Sequence, residues 1–306
     1  MIKILQGNCL EVLKDLPEQS VNTCITSPPY WGLRNYQEEE QLGLEDTPEE
    51  FVESLVKVFK EINRVLRDDG TVWLNLGDSY SSGGRTTTTN QTLRGDKDYG
   101  VTRPKPSKGI KPKDLIGIPW RVAFALQADG WYLRQDIIWH KPNPMPESVR
   151  DRCTKAHEYI FLLSKNAKYY FDNEAIKEDS KSAGKKSAGF KGRQGGAEYH
   201  ATGGGIGSEE KVYNKKNKRS VWTVTTKPYS EAHFATYPPD LIQPCVLAGC
   251  PEGGTVLDPF GGAGTTGLVA QQHNRDSILI ELNPDYIEIA KDRLNNDAPL
   301  FNEVVA

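Results

Sequence analysis

Val21-Asn22-Thr23-Cys24-Ile25-Thr26-Ser27-Pro28-Pro29-Tyr30 begins as an apolar run and ends in a hydroxyl, two prolines and an aromatic ring. The apolar run predicts a buried strand, and the prolines predict a rigid loop directly after it. Such a loop presents fixed carbonyls and a flat ring at the edge of a sheet, which suits a planar amine. An isolated pair of prolines is more often a simple turn, so this interpretation depends on a second signature.

The second signature is Thr255-Val256-Leu257-Asp258-Pro259-Phe260-Gly261-Gly262-Ala263-Gly264-Thr265-Thr266-Gly267, a strand that passes through a glycine-rich turn into a helix. The next strand, Ser277 to Leu282, carries Glu281 near its end. Glycines let the backbone approach a nucleoside, and an acid at this position accepts hydrogen bonds from a ribose diol. Such a turn also suits a dinucleotide, whereas the absence of a following Gly-Lys-Ser/Thr counts against a nucleoside triphosphate. The alternatives are a simple tight turn, and a Glu281 that only caps the helix at Asn283-Pro284.

Apolar strands alternate with amphipathic helices along most of the chain. A strand at Ile2 to Leu5 precedes a helix that Pro17 stops, and a helical repeat of apolar residues from Phe51 to Leu66 precedes the strand Thr71 to Leu76. This alternation predicts an α/β fold with a doubly wound, mostly parallel sheet. Ligands of such sheets bind at the carboxyl ends of the strands.

Two stretches rich in glycine and basic residues, 81–113 and 174–219, interrupt this alternation. A flexible basic segment is as often a solvated linker as a binding surface, but its place within an enzyme-like sheet favours contact with phosphates. The predicted organisation is a catalytic half at 1–80, a basic loop insertion at 81–113, the remainder of the catalytic half at 114–173, a basic target-recognition insertion at 174–219, and a cofactor-binding half at 220–306.

Composition sets outer limits on the function. The 306 residues carry a formal net charge of -3, and 26% are charged, which is typical of a globular protein. No apolar run approaches the roughly 20 residues of a membrane helix, and Met1 to Leu5 does not resemble a signal peptide, so we expect a cytoplasmic protein and no membrane partner. The five cysteines are scattered without Cys-x-x-Cys spacing, so neither disulfides nor a zinc site is expected.

Several motifs in one order resemble a known family. Asp258 to Thr265 resembles the S-adenosylmethionine motif of amino-methylating DNA methyltransferases, and Ser27 to Tyr30 resembles their catalytic motif. Residues 139–143 and 233–238 are similar to further family segments. The order of catalytic motif, basic insertion and cofactor motif resembles the beta arrangement of this N4-cytosine and N6-adenine family. Ala263 and Tyr237 depart from the serine and phenylalanine that are common there.

The resemblance implies a Rossmann-like methyltransferase with a seven-stranded sheet, S-adenosylmethionine as cofactor, double-stranded DNA as substrate, no metal, and a bacterial, archaeal or phage origin. The implied catalytic residues are Ser27, Pro28, Pro29 and Tyr30. The cofactor-binding candidates are Asn8, Cys9, His233, Phe234, Asp258, Pro259, Phe260, Gly261, Gly262, Gly264, Thr265, Thr266 and Glu281. The DNA-binding candidates are Arg85, Arg94, Arg103, Lys141, Lys185, Lys186, Arg193, Lys216 and Arg219.

The resemblance also links a serine at the head of the catalytic motif mainly with N4 methylation of cytosine, and aspartate or asparagine with N6 methylation of adenine. A hydroxyl both donates and accepts hydrogen bonds, whereas a carboxylate only accepts. We therefore expect site-specific methylation of the N4 amine of a flipped-out cytosine, with Tyr30 stacked on the base. Adenine N6 is the alternative, and RNA, a protein glutamine or a catalytically idle DNA-binding protein stay open. The sequence leaves undetermined the recognition site, a cognate restriction endonuclease, and whether the protein is a monomer or a homodimer.

Overall fold

The computed structural model describes residues 1–32, 41–81, 110–180, 214–227, 236–297 and a short strand at 304–305. The chain forms two compact units, one of residues 1–172 with 220–306 and one of residues 173–219. The strands, in chain order, are β1 (Ile2–Gln6), β2 (Val21–Thr26), β3 (Leu66–Leu76), β4 (Tyr132–His140), β5 (His157–Ser164), β6 (Glu178–Asp179), β7 (Lys215–Lys216), β8 (Val221–Thr223), β9 (Thr255–Asp258), β10 (Asp276–Glu281) and β11 (Val304–Val305). The helices are α1 (Cys9–Asp15), α2 (Pro48–Val65), α3 (Ile118–Ala128), α4 (Pro239–Gly249), α5 (Thr265–Gln272) and α6 (Pro284–Asp297).

The larger unit is built on a sheet in the order β11-β1-β10-β9-β2-β3-β5-β4-β8. Neighbouring strands are parallel except where β5 runs antiparallel to β3 and β4. The predicted mostly parallel α/β sheet is therefore confirmed. The expected number of seven strands is wrong for the described residues, because the short strands β8 and β11 add one strand at each edge.

Helices cover both faces of the sheet, as in a doubly wound fold. One apolar cluster joins Leu13 of α1 with the buried sides of α2 and α3, and a separate cluster joins Leu268 of α5 with Ile287 and Leu294 of α6. The longest helix, α2, begins at a capping box in which Thr47 and Glu50 bond each other's backbone N–H groups. Such a box satisfies two donors that the first turn leaves unpaired, so the start of α2 is fixed locally.

The parallel register brings five chain segments to the carboxyl edge of the sheet. Ser27 follows β2, Gly77 follows β3 and Pro259 follows β9, while Glu281 ends β10 beside Gln6 of β1. Because β2 pairs directly with β9, the two sequence signatures leave the sheet from neighbouring strands. This is the edge at which the alternation of strands and helices predicts ligands.

One buried carboxylate ties these two strands together. Asp258 is 1% exposed, and its oxygens accept hydrogen bonds from Thr26 Oγ1 at 2.6 Å, Thr266 Oγ1 at 2.5 Å, Tyr237 Oη at 2.9 Å and Phe260 N at 3.1 Å. Burial raises the pKa of Asp258, and its hydrogen bonds oppose that rise. We call these five residues the Asp258 knot. It fixes the start of the glycine-rich turn against the end of β2.

The Asp258 knot predicts the effect of Tyr237→Phe. The variant removes one donor to a buried carboxylate, so we expect the free energy of unfolding near neutral pH to fall by about 1–3 kcal/mol. The folded-state pKa of Asp258 lies above its ordinary value of 3.8, so the stability that this group contributes falls as pH rises from there through the folded pKa. Loss of the Tyr237 donor raises that pKa further. The penalty of the variant should therefore grow with pH.

The measurement is urea denaturation of both proteins from about pH 4 to pH 8, the range in which a raised carboxyl pKa acts. Tyr132→Phe is the matched control, because Tyr132 lies on β4 with 46% of its surface exposed. We expect that change to leave stability within about 0.5 kcal/mol. A penalty for Tyr237→Phe that is the same at every pH would contradict the role of Asp258 as the acceptor of the Tyr237 hydroxyl.

Candidate active site

The loop from Ser27 to Tyr30 is held between the ends of β9 and β3. Pro28 is buried, whereas Ser27, Pro29 and Tyr30 are partly exposed. The chain after the loop is tied down by a hydrogen bond from Gly32 N to Gly43 O at 2.8 Å. The loop therefore presents a hydroxyl and an aromatic ring at the carboxyl edge, next to the glycine-rich turn.

Tyr30 is fixed at both its tip and its ring. Its hydroxyl lies 2.7 Å from Glu158 Oε2 and 3.3 Å from Asn75 Oδ1. A Cβ atom added to Gly77 would lie 2.5 Å from Tyr30 Cε2, so only glycine lets the ring pack against the backbone after β3. The sequence predicts Tyr30 as the stacking ring, but it gives no sign of these three partners.

Lys141, a predicted DNA-binding residue, forms an ion pair with Glu158. The side chains of the two residues are 18% and 15% exposed, and the Lys141 ammonium lies 4.1 Å from the centre of the Trp139 ring. The structure thus places Lys141 in a partly buried pair next to Tyr30. Its expected contact with a DNA phosphate stays a prediction without support from this geometry.

The glycine-rich turn has a conformation that other residues rarely adopt. Gly262 and Gly264 have φ angles of 50° and 74°, in the left-handed region that glycine populates most readily. A Cβ atom on Gly261 would lie 3.0 Å from Leu279 Cβ, whereas one on Gly262 would meet only Phe260 O, at 3.9 Å. Gly261 therefore lets the turn pack closely on β10, while Gly262 leaves open space above the backbone.

Glu281 holds the other side of this open space. Its Oε2 accepts a hydrogen bond from Gly262 N at 2.7 Å, and its Oε1 accepts one from Asn283 N at 2.9 Å. Burial raises the pKa of Glu281, and these backbone N–H groups oppose that rise. The cap of α6 is Asn283, whose Oδ1 accepts from Asp285 N. Glu281 thus organises the turn, and a carboxylate with about four acceptor positions keeps capacity for a ribose hydroxyl.

Asn8 and Cys9 lie at the same edge, after β1. Gly7 N donates to Glu281 O at 3.0 Å, and Asn8 caps α1 by accepting from Leu10 N. Burial raises the pKa of Cys9 to about 12, so its side chain is a neutral thiol within the larger apolar cluster. The open turn and the acid fit a nucleoside with a free diol.

Other predicted cofactor residues serve the turn itself. Asp258 and Thr266 belong to the Asp258 knot, so their side-chain oxygens are already bonded within the fold. Thr265 Oγ1 accepts from Arg293 at 2.8 Å, and Phe260 packs against the larger apolar cluster. These residues shape the turn.

Asp78 follows β3, where an acid is able either to bind a ligand or to stabilise a turn. Its Oδ1 accepts from Ser79 N and Gly117 N at 2.9 Å and from Ile118 N at 3.2 Å. It therefore caps α3, whose own N-cap position is the glycine Gly117. The turn role is the one that the structure shows.

The remaining predicted residues divide between the smaller unit and the part of the chain outside the described residues. In the smaller unit, Lys216 and Arg219 lie 3.7 Å and 3.5 Å from Glu178, which also lies 3.7 Å from Lys218. Outside the described residues lie Arg85, Arg94, Arg103, Lys185, Lys186, Arg193, His233 and Phe234.

Two further findings concern metals and membranes. Among the described residues, no group of three or more His, Cys, Asp or Glu side chains has a geometry that suits a metal ion. In that same part of the chain, no helix has the length and apolar character needed to span a bilayer.

Comparison with known proteins agrees with the motifs. A family model described as DNA methylase, for N6 and N4 methyltransferases, matches residues 21–292. The type II methyltransferase M.Cfr9I of Citrobacter freundii is 49% identical over 96% of this chain and 88% of its own length. M.SmaI of Serratia marcescens is 48% identical over 95% of this chain and 90% of its own length.

Solved structures share the fold at low sequence identity. The PvuII DNA methyltransferase, named as cytosine-N4-specific, matches with a TM-score of 0.64 and 19% identity over 99% of this chain and 87% of its own. A DNA modification methylase of Thermus thermophilus, complexed with S-adenosylmethionine, matches with a TM-score of 0.62 and 22% identity over the whole of both chains. The solved structures agree in fold, and the matched family model and the relatives show that the chain belongs to the S-adenosylmethionine-dependent DNA amino-methyltransferase family.

Proposed function

We propose that this protein methylates the exocyclic N4 amine of cytosine in double-stranded DNA, with S-adenosylmethionine as the methyl donor. The observation that carries the choice of base is Ser27, a hydroxyl at the position where an acid or amide in this family accompanies adenine. A hydroxyl is able both to donate to a ring nitrogen and to accept from an amine, whereas a carboxylate only accepts. A cytosine-N4-specific enzyme shares the fold, so the architecture accommodates this reaction.

The cofactor, when bound, supplies a sulfonium-activated methyl group, and the chain supplies position. The open turn at Gly262 and the acceptor capacity of Glu281 would hold the nucleoside and its diol. The Ser27 hydroxyl and the Pro28 carbonyl would orient the amine of the base, whose lone pair is otherwise delocalised into the ring. These groups would accelerate the reaction by aligning the amine with the methyl group and by electrostatic stabilisation. No covalent enzyme intermediate is required.

The basic segments would hold the DNA. In the smaller unit, three cations, Lys216, Lys218 and Arg219, lie 3.7 Å, 3.7 Å and 3.5 Å from Glu178, so basic side chains gather at this place. Such a cluster suits contact with phosphates, which supplies affinity without sequence information. The close relatives are named type II methyltransferases, which supports a role beside a restriction endonuclease.

The first experiment incubates the protein with labelled S-adenosylmethionine and unmodified DNA, then digests the DNA and separates the nucleosides with mass detection. We expect label in N4-methylcytosine. Label in N6-methyladenine would keep the enzyme and overturn the choice of base. Absence of labelled nucleoside from several DNA sources would overturn the proposed substrate.

Ser27→Ala tests the catalytic role within that assay. Loss of the orienting hydroxyl should lower kcat by about 100-fold or more, by analogy with removal of a single orienting donor. Cofactor affinity should stay nearly unchanged, because Ser27 belongs to the loop after β2 and the turn belongs to β9. A large loss of cofactor affinity in titration calorimetry would contradict this division.

Glu281→Gln and Glu281→Ala test the cofactor role. Each charge-assisted hydrogen bond contributes roughly 1.5–3 kcal/mol, so we expect the Kd for S-adenosylhomocysteine to rise by about 10- to 100-fold in the alanine variant and by less in the glutamine variant. Titration calorimetry measures the change. Glu288→Ala is the control, since Glu288 lies on α6 with its side chain 70% exposed, and its Kd should equal that of the unchanged protein.

A further inference from the structure

Four polar side chains form a network beside the catalytic loop, which we call the Tyr30 network. It consists of Tyr30, Asn75 of β3, Glu158 of β5 and Lys141, which follows β4. None of the last three belongs to the motif that contains Tyr30. The network therefore depends on the strand pairing of β3, β5 and β4 at the carboxyl edge.

Glu158 is the centre of the network. The Tyr30 hydroxyl has one hydrogen, and the shorter distance, 2.7 Å to Glu158 Oε2 against 3.3 Å to Asn75 Oδ1, assigns it to Glu158. Asn75 Nδ2 donates to Tyr159 O at 3.1 Å and lies 3.3 Å from Glu158 Oε2. Lys141 pairs with the other oxygen, Oε1. Both carboxylate oxygens are thus occupied by partners from separate strands.

The pairing with Lys141 stabilises Glu158 in its partly buried position. A half-buried carboxylate without a counter-charge would carry a desolvation penalty, and the Lys141 ammonium, stacked over Trp139, supplies that charge. The Lys141 side chain is therefore engaged on two sides within the protein. These contacts within the protein account for a lysine at position 141, and no contact with a DNA phosphate is needed to explain it.

The ring of Tyr30 has little freedom as a result. Its tip is bonded to Glu158, and its edge packs on Gly77, where even a methyl group would collide. A side chain that is ordered before the ligand arrives avoids the entropy cost of ordering it during binding. Extrusion of a base from the duplex already costs unstacking free energy, so an ordered ring matters most in such a reaction.

We propose that Glu158 is a positioning residue, which acts through the Tyr30 hydroxyl to hold the ring in the orientation that stacks on an extruded base. Lys141 then serves the Tyr30 network. This inference rests on the proposed function, because it takes an extruded base in DNA as the ligand of Tyr30.

The test is a double-mutant cycle with Glu158→Gln, Tyr30→Phe and the combined variant. Both changes conserve shape, so each should lower kcat/KM for unmethylated plasmid DNA by about tenfold, the effect of losing one hydrogen bond to a charged group. Because Glu158 is proposed to act through the Tyr30 hydroxyl, the combined variant should lose no more than Glu158→Gln alone, and not about a hundredfold. The Kd for S-adenosylhomocysteine should not change.

Glu61→Gln is the matched control. Glu61 is a partly buried glutamate, with its side chain 27% exposed, in an ion pair with Arg64 on α2, and its change should leave kcat/KM unaltered. Thermal unfolding would show whether Glu158→Gln folds. If it does not, Tyr30→Phe alone tests the inference, because an unchanged kcat/KM in that variant overturns it.

The outcomes separate the two proposals. If the wild-type protein has no activity on DNA, both the proposed function and this inference are overturned. An active protein whose two variants show additive losses overturns only the inference, since Glu158 would then act independently of the Tyr30 hydroxyl. An active protein with non-additive losses and normal cofactor affinity supports both.

Discussion

The bond between Thr26 and the buried carboxylate of Asp258 is the constraint on which the site depends. Burial of a carboxylate is costly unless its oxygens are hydrogen-bonded, and here three hydroxyls and one backbone N–H supply the bonds. The donors come from the end of β2, from residue 237, from the turn and from α5. Satisfying one charge therefore fixes the relative position of the catalytic loop and the cofactor turn, although they lie more than two hundred residues apart in sequence.

The acids of the site have separate tasks that follow from their surroundings. Asp258 is closed off and holds the framework, whereas Glu281 bonds two backbone N–H groups and stays partly exposed beside the open turn. Glu158 is shared between Tyr30 and Lys141. Asp258 thus organises the ends of the strands, Glu281 the glycine-rich turn, and Glu158 the surroundings of Tyr30. The burial and the partners of each acid determine its task.

Sequence patterns predicted the elements well because those patterns are local. The glycine turn, the two prolines after β2 and the alternation of strands and helices depend on neighbours within a few residues. Partners across the sheet were not predictable in this way: Glu158 reaches Tyr30 only because β3 and β5 pair in one particular register. Tyr237, where phenylalanine is common in the family, adds only a hydroxyl, yet that hydroxyl completes the Asp258 knot. The sequence does not predict the edge strand β11, because two valines carry no periodic signal.

The two halves of the candidate site are ordered by different means, and this suits the ligands that we propose for them. The cofactor turn is a backbone cradle, in which left-handed glycines set the shape and few side chains need to be placed. The base side relies on one ring, so its orientation has to come from side-chain contacts at the tip and from Gly77 below. In the glycine-rich turn, the backbone shape depends on its glycines, so substitution of these glycines is expected to be the most damaging change. A single oriented ring is sensitive to residues on other strands, and this is the basis of our proposal that polar residues of β3 and β5 serve the active site although no motif contains them.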